Sequence, residues 1–271
     1  MIFFIAMLRK FLYQRLVFRW TIIFEIISTT SMLGVFFLID KFQASFFGET
    51  LSKALLEFKT SYFGYVALGL AISSFAHSSF GAVLGQLYED KRQNIFEQII
   101  ASPITLRKWA ITAGGVNVLS SSFHFLLIFS VAIGILQLKV PQHNFLLSLS
   151  IILLSIIPLW ALSIFSLAST LIFRRGDPIS YVMAIAFEIL SGVYVPVSIF
   201  PEKIQLLSNL IPLTPTVRAL QSVVYKGANF SDIQSDFFWI IGLTCFYLPL
   251  ALLLLKWLDV YARRKGTYFL T

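Results

Sequence analysis

Four ionisable side chains, Glu25, His77, His124 and Glu188, stand inside stretches that are otherwise strongly apolar. In hydrocarbon such groups mark transport paths, proton relays or gates, or they hydrogen-bond one helix to another, because lipid offers them no partner. His77 has Ser73, Ser74, Ser78 and Ser79 around it, and His124 follows Ser120, Ser121 and Ser122. Glu188 is the deepest carboxyl, about 15 Å into its stretch at 1.5 Å per helical residue. Enzymatic chemistry is poorly served by contrast. The three histidines are scattered, the single Cys245 excludes an internal disulfide and a multi-cysteine metal centre, and no metal site is expected. Nor is there a Gly-Lys dipeptide anywhere, so the chain has no P-loop with which to cradle ATP phosphates.

The elements that must hold these groups are spans. Of the 271 residues 58% are hydrophobic and only 13% charged, with a mean hydropathy of +0.83, against about a quarter charged in a soluble domain. That composition excludes a soluble globule and predicts an integral membrane protein. Six stretches approach the roughly 20 apolar residues a crossing helix needs: about 20–39, 62–84, 109–136, 145–173, 179–199 and 237–258. The alternating ten-residue segments of a β-barrel are absent, so the expected class is all-α. Fourteen Lys and Arg fall on the N-terminal arm, the second and fourth loops and the tail, and seven on the opposite side. This bias places both termini in the cytoplasm. The net charge of +8 fits loops facing anionic lipid, and no nucleic-acid partner is implied.

The connections differ in kind. Residues 7–19 mix arginines with Leu and Phe, as an interfacial helix does. Residues 88–102 form a cytoplasmic loop helix with acidic groups at its start and an apolar stripe through Ile95, Phe96 and Ile99. Pro158 should kink the fourth span. Gly81-x-x-x-Gly85 reads as close helix packing rather than a dimer seam. Four of the nine prolines fall between 191 and 230 and divide that stretch into two half-length helices, with Thr214-Pro215 opening the second. A re-entrant hairpin over 200–227, dipping in from the outer face, is the expected arrangement.

Two local motifs give this pattern a likeness. Glu97-Gln98-Ile99-Ile100-Ala101-Ser102-Pro103-Ile104 is one; Leu190-Ser191-Gly192-Val193-Tyr194-Val195-Pro196-Val197, followed by Phe200-Pro201, Leu210-Ile211-Pro212-Leu213-Thr214 and Arg218, is the other. Over nearly its whole length, as a single transmembrane domain of 1–271, the chain resembles the permease subunit of ABC-2 type ABC transporters. The resemblance implies an exporter of drugs, polysaccharides or lipid-linked glycans, non-catalytic itself, in the cell (inner) membrane. It implies two copies of a separate ATPase carrying ATP and Mg, a second permease half in a homodimer, and contact with membrane lipids. On this likeness 88–102 is the coupling helix, with Glu89, Arg92, Phe96 and Glu97, and Arg9 and Lys10 of the arm, facing the ATPase. Gly192, Tyr194, Pro196, Pro201, Pro212, Pro215 and Arg218 form the signature and hairpin, while Glu188, Glu25, His77 and His124 are candidates for the path or gate. The competing reading is a stand-alone secondary transporter or channel in which Glu188 carries protons.

Overall fold

The computed structural model describes residues 5–10, 13, 19–42, 60–102, 104–134, 144–173 and 178–265. The arm is helical over 5–10 and at 13, and most of the interface helix expected at 7–19 lies outside the described residues. Among the described residues ten α-helices follow, α1 (Arg19–Lys41), α2 (Tyr62–Phe80), α3 (Ala82–Arg92), α4 (Phe96–Ala101), α5 (Leu106–Gly134), α6 (Phe145–Phe173), α7 (Pro178–Leu190), α8 (Glu202–Asn209), α9 (Leu213–Gln221) and α10 (Phe230–Lys265), with a 3-10 turn at Val197–Ile199 and a π-helical turn at Ser222–Lys226. No strand occurs among the described residues. Four of these helices, α1, α2, α6 and α10, are long and apolar enough to cross a bilayer by length and composition.

The long helices surround α2. Its first turn is capped by Ser61, whose Oγ accepts from the Gly64 amide at 3.2 Å, and tied to α1 by the Phe63 amide donating to Asp40 at 3.1 Å. From there almost every side chain of α2 is buried, against α5, α6, α1 and α9. Helix α1 is the opposite case: Phe24, Ile27, Val35 and Leu38 are exposed, as suits a surface that meets lipid tails. Two apolar cores result. One, around Phe96, Trp109, Leu167 and Leu255, gathers Met7 of the arm, the start of α5, the end of α6 and the second half of α10. The other, around Tyr65, Leu68, Val217 and Val223, sits at the opposite end, under α8 and α9.

Several expected boundaries move, each for a local reason. The stretch 179–199 is not one span. Helix α7 is 13 residues, about 20 Å, and stops at Leu190 because Gly192 takes φ +83°, a conformation that favours glycine. The 62–84 stretch breaks at Gly81 and continues as α3. The helix expected over 88–102 is two, since Asn94 adopts φ 55° and the Ile95 amide turns back to the Asp90 carbonyl at 2.9 Å. Helix α9 starts at Leu213 with Pro212 at its cap, ahead of the expected Thr214-Pro215 pair. The close packing expected at Gly81 and Gly85 is not seen among the described residues, where an added methyl at Gly85 meets nothing within 4 Å and one at Gly81 meets the His77 carbonyl oxygen at 3.4 Å. Helix α6 runs on through Pro158, and α10 through Pro249. The Arg174–Asp177 turn lies outside the described residues.

The close approach that matters is elsewhere. A Cβ on Gly69 would stand 2.5 Å from the Val193 carbonyl oxygen, so the turn after α7 rests directly on the backbone of α2. Backbone cannot swing aside as a flexible side chain can. Gly69→Ala is therefore expected to lower the melting temperature of the detergent-solubilised protein, at a cost of about 1–3 kcal/mol for overpacking. A variant that melts with the parent would show that the turn yields.

Candidate functional site

Two polar clusters bear most directly on the site, one around Glu188 and one at the end of the bundle nearest the arm. The first is built on Glu188 of α7. Ser73 Oγ donates to Glu188 Oε1 at 2.9 Å, His77 Nε2 lies 3.2 Å from Oε2, and the Tyr194 hydroxyl is directed towards the same carboxyl. Ser73 and His77 are one turn apart on α2, so both reach the one carboxyl, as i, i+4 geometry requires. Tyr194 comes from the turn after α7, where its ring stacks on Phe36 of α1 with centroids 5.7 Å apart. Three elements therefore converge on one acid. Its side chain is only 16% exposed, so the hydrogen bonds replace the water it has lost.

Of the residues singled out for a path or gate, the structure brings together Glu188 and His77. Glu25 is half-buried on α1 and is not among the groups that meet Glu188. The side chain of His124 lies outside the described residues.

The second cluster centres on Asp90, 1% exposed near the end of α3. Its Oδ1 accepts from Lys10 Nζ at 3.0 Å and Gln86 Nε2 at 2.7 Å, and its Oδ2 from Trp109 Nε1 at 2.9 Å. One buried carboxylate thus joins the arm, the loop helix and the start of α5. Asp90 was read from sequence only as an acid at a helix start. Its role depends on Trp109 and Lys10 arriving in space, and neither spacing announces it.

Around this knot the loop presents charge. Glu89 pairs with Arg92 at 3.0 Å, and that hydrogen bond holds its carboxyl below the usual range. Partial burial pushes the Lys91 ammonium down, opposed by the Glu97 charge. Glu97 is exposed, as is Arg9, which borders a shallow hollow with Lys10 and Tyr13. Phe96 differs from expectation. It is wholly buried, edge-on to Trp109 at 5.2 Å, so it supports the loop from inside and presents no surface to a partner.

The signature residues gather at the other end. The Gly192 carbonyl accepts from the Tyr65 hydroxyl at 2.8 Å, and Tyr225 donates to the Gly64 carbonyl at 2.6 Å, pinning both flanks of the hairpin to α2. Pro196, Pro212 and Pro215 are buried, while Pro201 is exposed and starts α8. Arg218 of α9 is bound to Asp236 of α10 through Nε at 2.7 Å and Nη2 at 2.5 Å, and reaches Asn209 with Nη1 at 3.3 Å. Among the described residues no group of three His, Cys, Asp or Glu is placed to hold a metal ion.

A protein-family model described as ABC-2 family transporter protein matches residues 49–253, from before α2 into the second half of α10. Comparison with curated proteins gave no match.

Proposed function

The chain belongs to the ABC-2 family of transporter proteins, a multi-pass membrane permease, and on that premise we propose that it forms the translocation path of an ATP-driven exporter. Association with an ABC ATPase subunit goes with the family. In the proposed assembly two permease halves, identical copies of this chain, meet two ATPase subunits that carry ATP and Mg. The permease does no chemistry of its own. The cargo is amphipathic, hydrophobic or lipid-linked: a drug, a polysaccharide or a glycolipid.

The observation that carries this reading is the Asp90 knot. An exporter needs a rigid lever between its motor and its spans. Here the loop helices are braced by a buried carboxylate to both the arm and α5, while Glu89, Arg92 and Glu97 stay at the surface. A helix carried only by loop backbone would absorb the movement instead of passing it on. The proposal places both termini in the cytoplasm, α3 and α4 on the ATPase, and α7 with the turn after it as the fifth of six crossings. The α8–α9 pair is then a re-entrant hairpin closing the outer side. Its half-length helices and its buried prolines support that placement.

The test is coupling. With the ATPase co-expressed, reversing charge at both Glu97 and Arg92 should leave the permease inserted and the complex purifiable. Transport per ATP hydrolysed should fall about tenfold, the order of two lost charge-assisted contacts at a partly desolvated interface. Unchanged coupling would overturn the assignment of the loop. Transport by the chain in vesicles without any ATPase, driven by a proton gradient, would favour the gradient-driven alternative centred on Glu188.

A further inference from the structure

The two apolar cores share no member, and three of the helical routes between them are weakened where one core gives way to the other. On α6, Leu159 belongs to the core under α8 and α9, Ala161 to the core beside the arm, and Pro158 stands at the join. On α10, Ile240 falls in the first core and Ala251 in the second, with Pro249 between them. Ala76 of α2 and Val83 of α3 lie on either side of the break at Gly81. A proline supplies no N–H to the carbonyl four residues before it, so Leu154 and Cys245 lack that helical bond. Glycine, too, supports a helix poorly. Ser155 adds to the weakness at Pro158 by turning its hydroxyl back to the Ile152 carbonyl at 2.8 Å, a bond of the kind that bends helices.

These weak points meet at one level. A cavity of about 20 Å³ is bordered by His77 and Phe80 just before Gly81, by Leu159 just after Pro158, and by Leu213 at the start of α9. The Tyr247 hydroxyl, two residues before Pro249, donates to the Leu210 carbonyl at the same α8–α9 corner at 3.2 Å. Helix α5 crosses this level unbroken and is held there. Asn117 Nδ2 donates to the Ala82 carbonyl at 3.0 Å, and the Trp160 indole lies against Gly114, where a Cβ would overlap its nitrogen. Close-packed cores resist deformation, while helices bend at prolines and glycines. We propose that the two cores turn against each other as separate bodies about this waist, with α5 as the axle. The bend bears on the polar site, because the Gly81 amide is bonded to the His77 carbonyl at 2.9 Å and His77 meets Glu188 of α7. What drives the turning rests on the exporter reading, in which a push on the Asp90 knot travels along α3 to Gly81; the waist itself does not.

The experiment needs no ATPase. It measures spin-label distance distributions in the full-length protein in lipid nanodiscs, from paired cysteines in a Cys245→Ser background. Leu146→Cys with Phe238→Cys reports on the α8–α9 half, Ile111→Cys with Trp257→Cys on the arm half, and Leu146→Cys with Trp257→Cys spans the waist, all at exposed positions. The two pairs within a half should give narrow distributions and the spanning pair one about twice as wide. Pro158→Ala, Pro249→Ala and Gly81→Ala together restore the missing donors and helix propensity, and should bring the spanning width down to that of the other pairs. A spanning distribution no wider than the others in the parent would overturn the proposal, as would a width that the triple variant leaves unchanged. If the triple variant does not fold, Gly81→Ala takes its place with a smaller narrowing expected, since its methyl meets the His77 carbonyl oxygen at an ordinary 3.4 Å. Failure here would leave the exporter reading standing, and failure of transport with a mobile waist would strike that reading alone.

Discussion

Asp90→Ala is expected to be the most damaging single substitution at the end of the bundle that carries the arm. It removes the acceptor of three side-chain hydrogen bonds at once, leaving Trp109 Nε1, Gln86 Nε2 and the Lys10 ammonium to find others. Trp109 is wholly buried and has no route to water. Breaking a buried charge pair by deleting one partner costs about 3–5 kcal/mol. The Lys10 side chain is 25% exposed, which lets its ammonium recover some hydration and puts the expectation at the lower end of that range. Asp90→Asn keeps an acceptor oxygen but not the charge, and should cost about 1–2 kcal/mol. Melting temperature and folded yield in detergent give the order parent, Asn, Ala. With the ATPase present, the Asn variant should hydrolyse ATP while transporting less, because the brace is loosened with the fold intact. If Asp90→Ala melts with the parent, the knot carries no load and the lever argument fails with it.

The second large effect concerns Glu188. Leucine there deletes the partner of Ser73 and His77 together, in a site where little water can replace it. With about 1–3 kcal/mol for each buried donor left unpaired, Glu188→Leu should sharply lower folded yield. Glu188→Gln keeps one oxygen for Ser73 and turns an NH₂ toward His77. It should fold nearly as the parent does, but without a charge between α2 and α7. If the carboxylate serves the path, transport by the Gln variant falls or loses its pH dependence while assembly persists. If it serves only to hold the helices, the Gln variant transports normally and the Leu variant alone fails. Normal yield and transport in both would refute either role.

Much of this was legible in the residues, and the reason is physical. Length and apolarity fix where helices must lie in lipid, so α6 falls at 145–173 and α1 within two residues of its expected stretch, while α10 contains its expected stretch but runs seven residues past it at each end. An acid amid Val, Met and Leu has to find donors, and Glu188 does. Illegible features depend on what meets in space. Asn94 could be read as an ordinary helical residue, yet the Asp90 knot folds the loop back there. Phe96 belonged to an amphipathic stripe, but which side of that stripe faces protein is decided by Trp109. The end of α7 turned on Gly192, and the residue after it rests on Gly69, more than a hundred residues earlier.

The near-total burial of α2 has a consequence for how the protein is made. Of the four helices able to cross a bilayer it is the least apolar, and its serines and His77 are tolerable only because α5, α6 and α7 cover them. All three are synthesised after it. Helix α1 can partition into lipid as it emerges, since lipid is what it faces in the finished protein. Helix α2 enters as a guest awaiting its hosts, and must be held at the insertion machinery or shielded beside it until about a hundred more residues have been translated. The centre of the folded molecule thus reaches its final packing only after the helices around it have been made, well after its own synthesis.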